Sequence, residues 1–406
     1  MTPPPARLLD ITRLVSRARR GPLTGVDRVE LAYLEHLLGL ETPLFALARG
    51  APGYALLDRT GAQALYARIT GAQSWGRADW IARLHLRQPA ARQRAMSDLR
   101  RLALAATGPR GLGRMLRRHL PAGTSYLNIG HTNLTTPVFD ALARVRGARS
   151  AVFIHDTIPL DFPGFCGEGV PESFAAKMRL AGARADLVIC NSRATLAAAR
   201  RHLAALGPVP EAIVAHLGVT TPRPDPAAFP DRIDRTRPFF VVLGTIEPRK
   251  NHALLLDVWD ELAAHLPPAR MPQLVVIGAR GWRSAALLER LDTHPLRGRD
   301  IHVFGGLSDG AVAAVLCRAS ALLFPSHAEG FGLPAAEAAA LGVPVIASRL
   351  AVFEEVLGDY PVYPAAPDPY SWRNCISALA EGDGAHAAPP VLPDWRAHFR
   401  TVLSAT

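Results

Sequence analysis

Short apolar runs rich in β-branched residues recur along this chain, each followed by turn residues and a helical pattern. They are Ala151 to Ile154, Leu187 to Cys190, Phe239 to Leu243, Leu274 to Ile277, His302 to Phe304, Ala321 to Phe324 and Val343 to Ala347. Strands that are apolar on both faces are covered by helices on both sides, and regular alternation of strand and helix implies parallel sheets. Loops then converge at the carboxyl ends of the strands, and ligands sit there. With 406 residues, 49% of them hydrophobic, the chain exceeds one core and suits two α/β domains. Seven prolines lie between Pro208 and Pro238, and Asp225 to Arg237 has no sustained apolar periodicity. That segment reads as a linker. The expected division is 1–224, 225–385 and a tail, 386–406, with a closing helix from Trp395 to Leu403.

No stretch has the length and apolarity of a membrane-spanning helix or a signal peptide, so the expected location is cytoplasmic or peripheral on a membrane surface. Cys166, Cys190, Cys317 and Cys375 lie far apart and read as reduced core residues, with neither disulfide nor metal implied. A formal charge of +11 calls for an anionic partner: nucleic acid, lipid headgroups or a phosphorylated substrate. An arginine-rich proteome gives the same balance with no functional meaning. Arg92 to Arg118 holds eight arginines with Asp98 as its one acid, and Ala95, Leu99, Leu102 and Ala106 share a helical face. Such a helix can lie on an anionic membrane, or pack its stripe on its own domain.

The segment Phe324 to Ser348 reads as strand, glycine-bearing loop, helix opened by Pro334, then strand. Gly330 and Gly332 let a ligand approach the free amides of the helix start, a place for phosphate or sugar oxygens. Glu329 and Glu337 flank that loop and can accept hydrogen bonds from sugar or ribose hydroxyls. The plainer alternative makes them a solvated loop charge and a partner of the helix dipole. In Val241 to His252 a buried strand runs into Gly244, and Arg249 and Lys250 stand just before a helix capped by Asn251. Arg grips two oxygens in its planar fork and Lys adds a compact charge, a set suited to a diphosphate.

Together GTIEPRKN and EGFGLPAAEAAALGVPVIAS resemble the signatures of glycosyltransferase family 4, the retaining enzymes of GT-B fold, in the correct order and about 80 residues apart. The resemblance covers residues 239 to 385. It implies two Rossmann-like domains facing a central cleft, and transfer of a hexosyl group from a nucleotide-diphosphate sugar to a glycan or lipid-linked acceptor without a metal. It further implies that Arg249 and Lys250 bind the donor diphosphate and stabilise its developing charge. Glu337 would hold the ribose and Glu329 the transferred hexose, supported by Gly330, Phe331, Gly332 and Leu333. In that family the acceptor attacks from the leaving-group face, so the glutamates are not a glycosidase acid and nucleophile pair. No two aspartates here are separated by one residue, so the metal-binding aspartate pair of the other large glycosyltransferase fold is missing. A mannosyl donor and surface polysaccharide assembly are the family-level expectation.

In the amino half, Thr24 to Val29 resembles the family's first glycine loop, with Gly25 in place of a glycine pair, between a strand around Arg7 to Ile11 and a helix from Val29 to Leu40. His155 and Asp156 directly follow a buried strand, where His155 is a candidate catalytic group and Asp156 faces the acceptor. His131, in LNIGHTN, is a second acceptor-side candidate. Three other readings compete. Gly330 to Ala335 formally fits a dinucleotide fingerprint, with Glu354 or Glu355 as its acid, which is the pattern of an NAD(P)-dependent oxidoreductase. A non-catalytic sugar-nucleotide binder would keep the same motifs. Nucleic-acid binding has charge in its favour but no interleaved aromatics and no recognisable motif.

Overall fold

Two parallel sheets carry the chain. The first is built outward from β1 (Arg7–Asp10), flanked by β2 (Leu44–Gly50), to which β3 (Gly53–Leu57) and β4 (Ala105–Thr107) are added antiparallel. On the other side follow β5 (Ser125–Asn128), β6 (Arg149–Ile154), β7 (Leu187–Cys190) and β8 (Glu211–Val214), all parallel. The order is β4-β3-β2-β1-β5-β6-β7-β8. The second sheet consists of β9 (Phe239–Leu243), β10 (Gln273–Ile277), β11 (Ile301–Phe304), β12 (Ala321–Phe324) and β13 (Val345–Ala347) in the order β11-β10-β9-β12-β13, parallel throughout. This computed structural model describes every residue except 1–2, 18–22, 24, 51–52, 85–88, 283 and 383–386, and only the backbone of 83 and 84.

The strand order reverses between β1 and β5 in the first sheet and between β9 and β12 in the second. At such reversals neighbouring loops leave to opposite faces and open a crevice. The packing that fixes these crevices is apolar. Val29, Tyr33, Leu34 and Leu37 of helix Gly25–Leu38 are buried with Leu9 and Phe153, at the spacing of one helical face. In the second domain Phe240, Val242, Trp259 and Leu274 pack together, and the Trp259 indole donates to the Pro272 carbonyl at 3.0 Å, which satisfies its buried N–H.

The last helix, Trp395–Ala405, returns to the first domain. Phe399 and Val402 are buried, His398 bonds Tyr33 Oη at 2.8 Å, and Arg7 reaches Thr406 Oγ1 at 2.9 Å. The expected boundary at 385 lies outside the described residues, as does Thr24. The segment from Asp225 is a packed strap: Phe229 and Ile233 are buried, and Arg237 pairs with Asp300 at 2.9 Å.

Three sequence expectations are corrected. Arg92 to Arg118 does not form one helix. Helix Ala90–Leu102 ends before edge strand β4, which takes Ala106, and helix Leu112–His119 follows. Ala95 and Leu99 are buried in their own domain, and Arg100 and Arg101 pair with Asp79 and Asp98, so that half of the stripe packs on its own domain. Asn251 takes a left-handed conformation at φ 52° and makes no side-chain cap. Cys317 is exposed where a core position was expected.

Candidate functional site

The loops after β9 and β12 leave adjacent strands at the second reversal, which brings the two motifs together. Gly244 has φ +146°, a conformation that favours glycine, and a side chain there would meet Lys250 Cε at 3.2 Å. This tight exit returns Arg249 and Lys250 over the sheet end, where both meet Glu329. Lys250 Nζ lies 2.6 Å and Arg249 Nη1 2.9 Å from the same oxygen, Glu329 Oε1. Arg249 also holds Glu247 Oε1 at 2.7 Å and donates to the Ala328 carbonyl at 2.6 Å. Lys250 Nζ further lies 4.5 Å from the Phe324 ring centre.

Two cations and two carboxylates are thus buried as one balanced unit. Burial alone would push the Glu329 carboxyl up, but Lys250 and Arg249 outweigh it and hold it below the usual range. Burial moves Lys250 the other way, down from its ordinary value, with Glu329 opposing.

The glycine loop packs against the first domain. A side chain at Gly330 would meet the His155 carbonyl at 2.2 Å, and the Gly330 carbonyl accepts from Ser192 Oγ at 3.3 Å and Thr195 Oγ1 at 3.2 Å. Phe331 is buried. Gly332 has φ +83° and faces Phe353, whose ring a side chain would strike at 2.4 Å. Helix Leu333–Ala340 starts one residue before Pro334 and carries Glu337 on its first turns.

Glu337 and Leu333 line a cavity of about 800 Å³ between the domains, with Gly306, Leu307 and Ser308 on one wall and Arg28, His36 and Trp395 on the other. Its size suits a nucleoside. Arg28 Nη2 lies 2.7 Å from Glu337 Oε1, an ion pair across the cleft. Burial raises the Glu337 carboxyl, and Arg28 opposes the rise.

On the facing side, His155 Nε2 donates to the Ile129 carbonyl at 2.9 Å, and His131 Nε2 donates to the Phe153 carbonyl. A carbonyl only accepts, so each ring carries its proton on Nε2 and keeps Nδ1 as acceptor. Burial pushes His155 down to about 3 and His131 to about 4, so both are neutral near pH 7. The Asp156 carboxylate accepts from the Ile158 amide at 3.1 Å; burial raises it and Arg249 across the cleft lowers it. Beneath His131, Asp10 accepts from Tyr126 Oη at 3.1 Å and Asn133 Nδ2 at 2.8 Å, and Asn128 Oδ1 accepts the His131 amide at 3.1 Å.

The structure therefore gathers Asp156, Arg249, Lys250, Glu329 and Gly330 at one cleft, with Leu333 and Glu337 on the adjoining cavity. Gly25 opens helix Gly25–Leu38, and among the described residues a side chain there would meet nothing within 4 Å. Arg28, Glu247, Ser192 and Thr195 were not singled out in the sequence, although Arg28 lies inside Thr24 to Val29 and Glu247 inside GTIEPRKN, and Glu355 was named only as a dinucleotide acid.

Glu355 does not take the part of a dinucleotide acid. It accepts the amides of Arg193 at 2.7 Å and Ala194 at 3.0 Å, capping a helix of the first domain. The formal fingerprint also follows β12, the fourth strand of its sheet, and Gly330 comes six residues after the strand's last residue, Phe324.

Two such domains closing on one cleft define the GT-B class of glycosyltransferase folds. The chain is similar over its whole length to Anabaena Alr3699/HepE, solved in complex with UDP and glucose, at TM-score 0.58 and 15% identity, covering 99% of this chain and 95% of that one. Sucrose-phosphate synthase from Thermosynechococcus elongatus matches at TM-score 0.55 and 19% identity, covering 73% and 78%. Residues 225–372 match the family described as Glycosyl transferases group 1, so the chain carries a glycosyltransferase family 4 domain there. It is distantly homologous to O-antigen mannosyltransferases. The serotype-specific mannosyltransferase WbdA of Escherichia coli is 31% identical over 251 residues, 57% of this chain and 30% of that protein. O-antigen chain mannosyltransferase B of Escherichia coli is 35% identical over 121 residues, 30% and 31% of the two chains. The chain thus spans less than a third of the length of these two relatives.

Proposed function

We propose that this protein transfers a hexosyl group, with retention, from a nucleoside-diphosphate sugar to a glycan or lipid-linked acceptor in surface polysaccharide assembly. The observation that carries the reading is the meeting of Arg249, Lys250 and Glu329 at the strand-order reversal, beside a nucleoside-sized cavity that holds Glu337. Homology to O-antigen mannosyltransferases supports a mannosyl donor and that biological setting.

The donor diphosphate takes the place now held by Glu329 oxygen on the two cations, which frees Glu329 for hydroxyls of the transferred sugar. When the bond between C1 and the diphosphate oxygen breaks, the leaving group gains negative charge. Arg249 and Lys250, fixed in a water-poor cleft, stabilise it without reorganising. The new bond forms from an acceptor hydroxyl to C1 on the same face, and its proton passes to the departing phosphate oxygen. Neutral His155, with Nδ1 as acceptor, orients a hydroxyl at that face.

The test is thermal stabilisation of the purified protein by UDP, GDP, ADP and their sugar conjugates, with NAD and NADP alongside and no divalent metal added. One nucleoside diphosphate should raise the melting temperature and thereby name the donor base. Silence toward every nucleoside diphosphate, or a response to nicotinamide cofactors alone, would overturn the reading. Binding without donor hydrolysis or transfer to any acceptor would leave a sugar-nucleotide binder instead of an enzyme.

A further inference from the structure

We propose that Arg28 is the first domain's contribution to the nucleotide site: reaching across the cleft, it positions the Glu337 carboxylate so that ribose recognition is complete only when the domains are closed. The proposal rests on the reading of Glu337 as the ribose contact. Arg28 belongs to helix Gly25–Leu38 and Glu337 to helix Leu333–Ala340, on opposite sides of the cleft. Their charged groups meet at 2.7 Å, with the Arg28 side chain 32% and the Glu337 side chain 9% exposed. Both line the 800 Å³ cavity, so the pair forms part of its wall.

Arg28 is the one described side chain that pairs with Glu337, and it does so at Oε1. A carboxylate can accept at several lone pairs, so a ribose hydroxyl can donate to Glu337 while the ion pair stays intact. A carboxylate this deeply buried is driven toward its protonated form unless a cation opposes it, and a protonated carboxyl is a poorer acceptor for two hydroxyls. Arg28 supplies that cation, and Asp309 on the same cavity wall acts against it. Domain opening removes Arg28 and weakens the site; by linkage, nucleotide binding favours closure to the same extent. The motif that carries Glu337 holds no hint of this, because its partner lies 309 positions earlier in the chain.

Calorimetric titration of the wild type, Arg28→Ala, Arg28→Lys, Glu337→Gln and the double variant Arg28→Ala/Glu337→Gln with UDP, GDP and ADP tests this. For the nucleotide the wild type binds best, Arg28→Ala should weaken binding about tenfold or more, the worth of one charge-assisted hydrogen bond. Arg28→Lys should recover part of the loss, and the double variant should bind no worse than the weaker single variant within about twofold. In turnover, Arg28→Ala should raise the donor KM while kcat at saturating donor changes little. Because Arg28 is partly exposed, Arg28→Lys keeps the experiment decisive should the alanine variant not fold. Unchanged or tighter binding by Arg28→Ala, or losses that multiply in the double variant, overturns the proposal while nucleotide binding by the wild type leaves the donor reading standing. Failure of the wild type to bind any nucleoside diphosphate overturns both.

Discussion

Glu329 is where the two buried cations of the candidate site meet. Its Oε1 takes both Lys250 and Arg249, and Arg249 in turn neutralises Glu247, so removing one cation strands a buried carboxylate. A truncation here mixes two losses: charge stabilisation of the leaving group, and about 3–5 kcal/mol of fold stability from a broken buried pair. Lys250→Met should lower transfer kcat by about 10²- to 10³-fold and also lower the denaturation midpoint. Adding Glu329→Gln removes the stranded charge, so the double variant should regain stability without regaining rate. Denaturation and steady-state kinetics on the same preparations separate the two effects. A double variant that recovers both would make Lys250 a structural residue.

The elements that carry chemistry were the easiest to read in the sequence. Strands β9 and β12 are buried on both faces, so they stand out as unbroken apolar runs, and the motif loops follow directly. Strands β4 and β8 gave no such signal: β4 is three residues at a sheet edge, and β8 is partly exposed throughout. Edge strands need no continuous apolar run, so their sequence does not announce them. Contacts between domains were invisible for a different reason, since each joins residues distant in sequence whose local patterns are ordinary. The clasp at helix Arg193–Leu206 is the clearest case. Ser192 Oγ accepts the Thr195 amide from within the helix's own chain segment, while the Glu355 carboxylate of the other domain accepts the Arg193 and Ala194 amides and pairs with His216 at 2.7 Å. Glu355→Ala takes the carboxylate acceptor from two helix-end donors. It should cost about 1–2 kcal/mol, the usual worth of a charged helix cap. Because the contact spans the domains, the variant should also show a larger radius of gyration in small-angle scattering. No change in either quantity would mean that closure is held elsewhere.

Over the whole molecule, folding buries ionisable groups, and this predicts how the fold responds to acid. Burial lowers His131, His252 and His398 to about 4 and His155 to about 3, against 6.5 for a free imidazole. As pH falls below 6.5 the unfolded chain takes up these protons first, while the folded chain resists until about pH 4 to 3. Stability from the four rings is therefore complete above pH 6.5 and is lost progressively between 6.5 and about 3 to 4. Glu30 works in the opposite sense: burial and Asp10 raise its carboxyl well above the ordinary value, so the folded state gains a proton there as pH falls. Burial raises Asp10, Asp156 and Glu337 as well, but Glu329 and Glu355 are lowered and act with the histidines, so the melting temperature should be lower at pH 5 than at pH 7. A variant isolates one share of that loss. Gln at position 155 can keep a donor on the Ile129 carbonyl but cannot titrate, so His155→Gln should shrink the drop between pH 7 and pH 5, with the carboxylates contributing equally to both proteins. A drop the same size as in the wild type would show that His155 is not held neutral by the fold, and the orienting role given to its Nδ1 would fall with it.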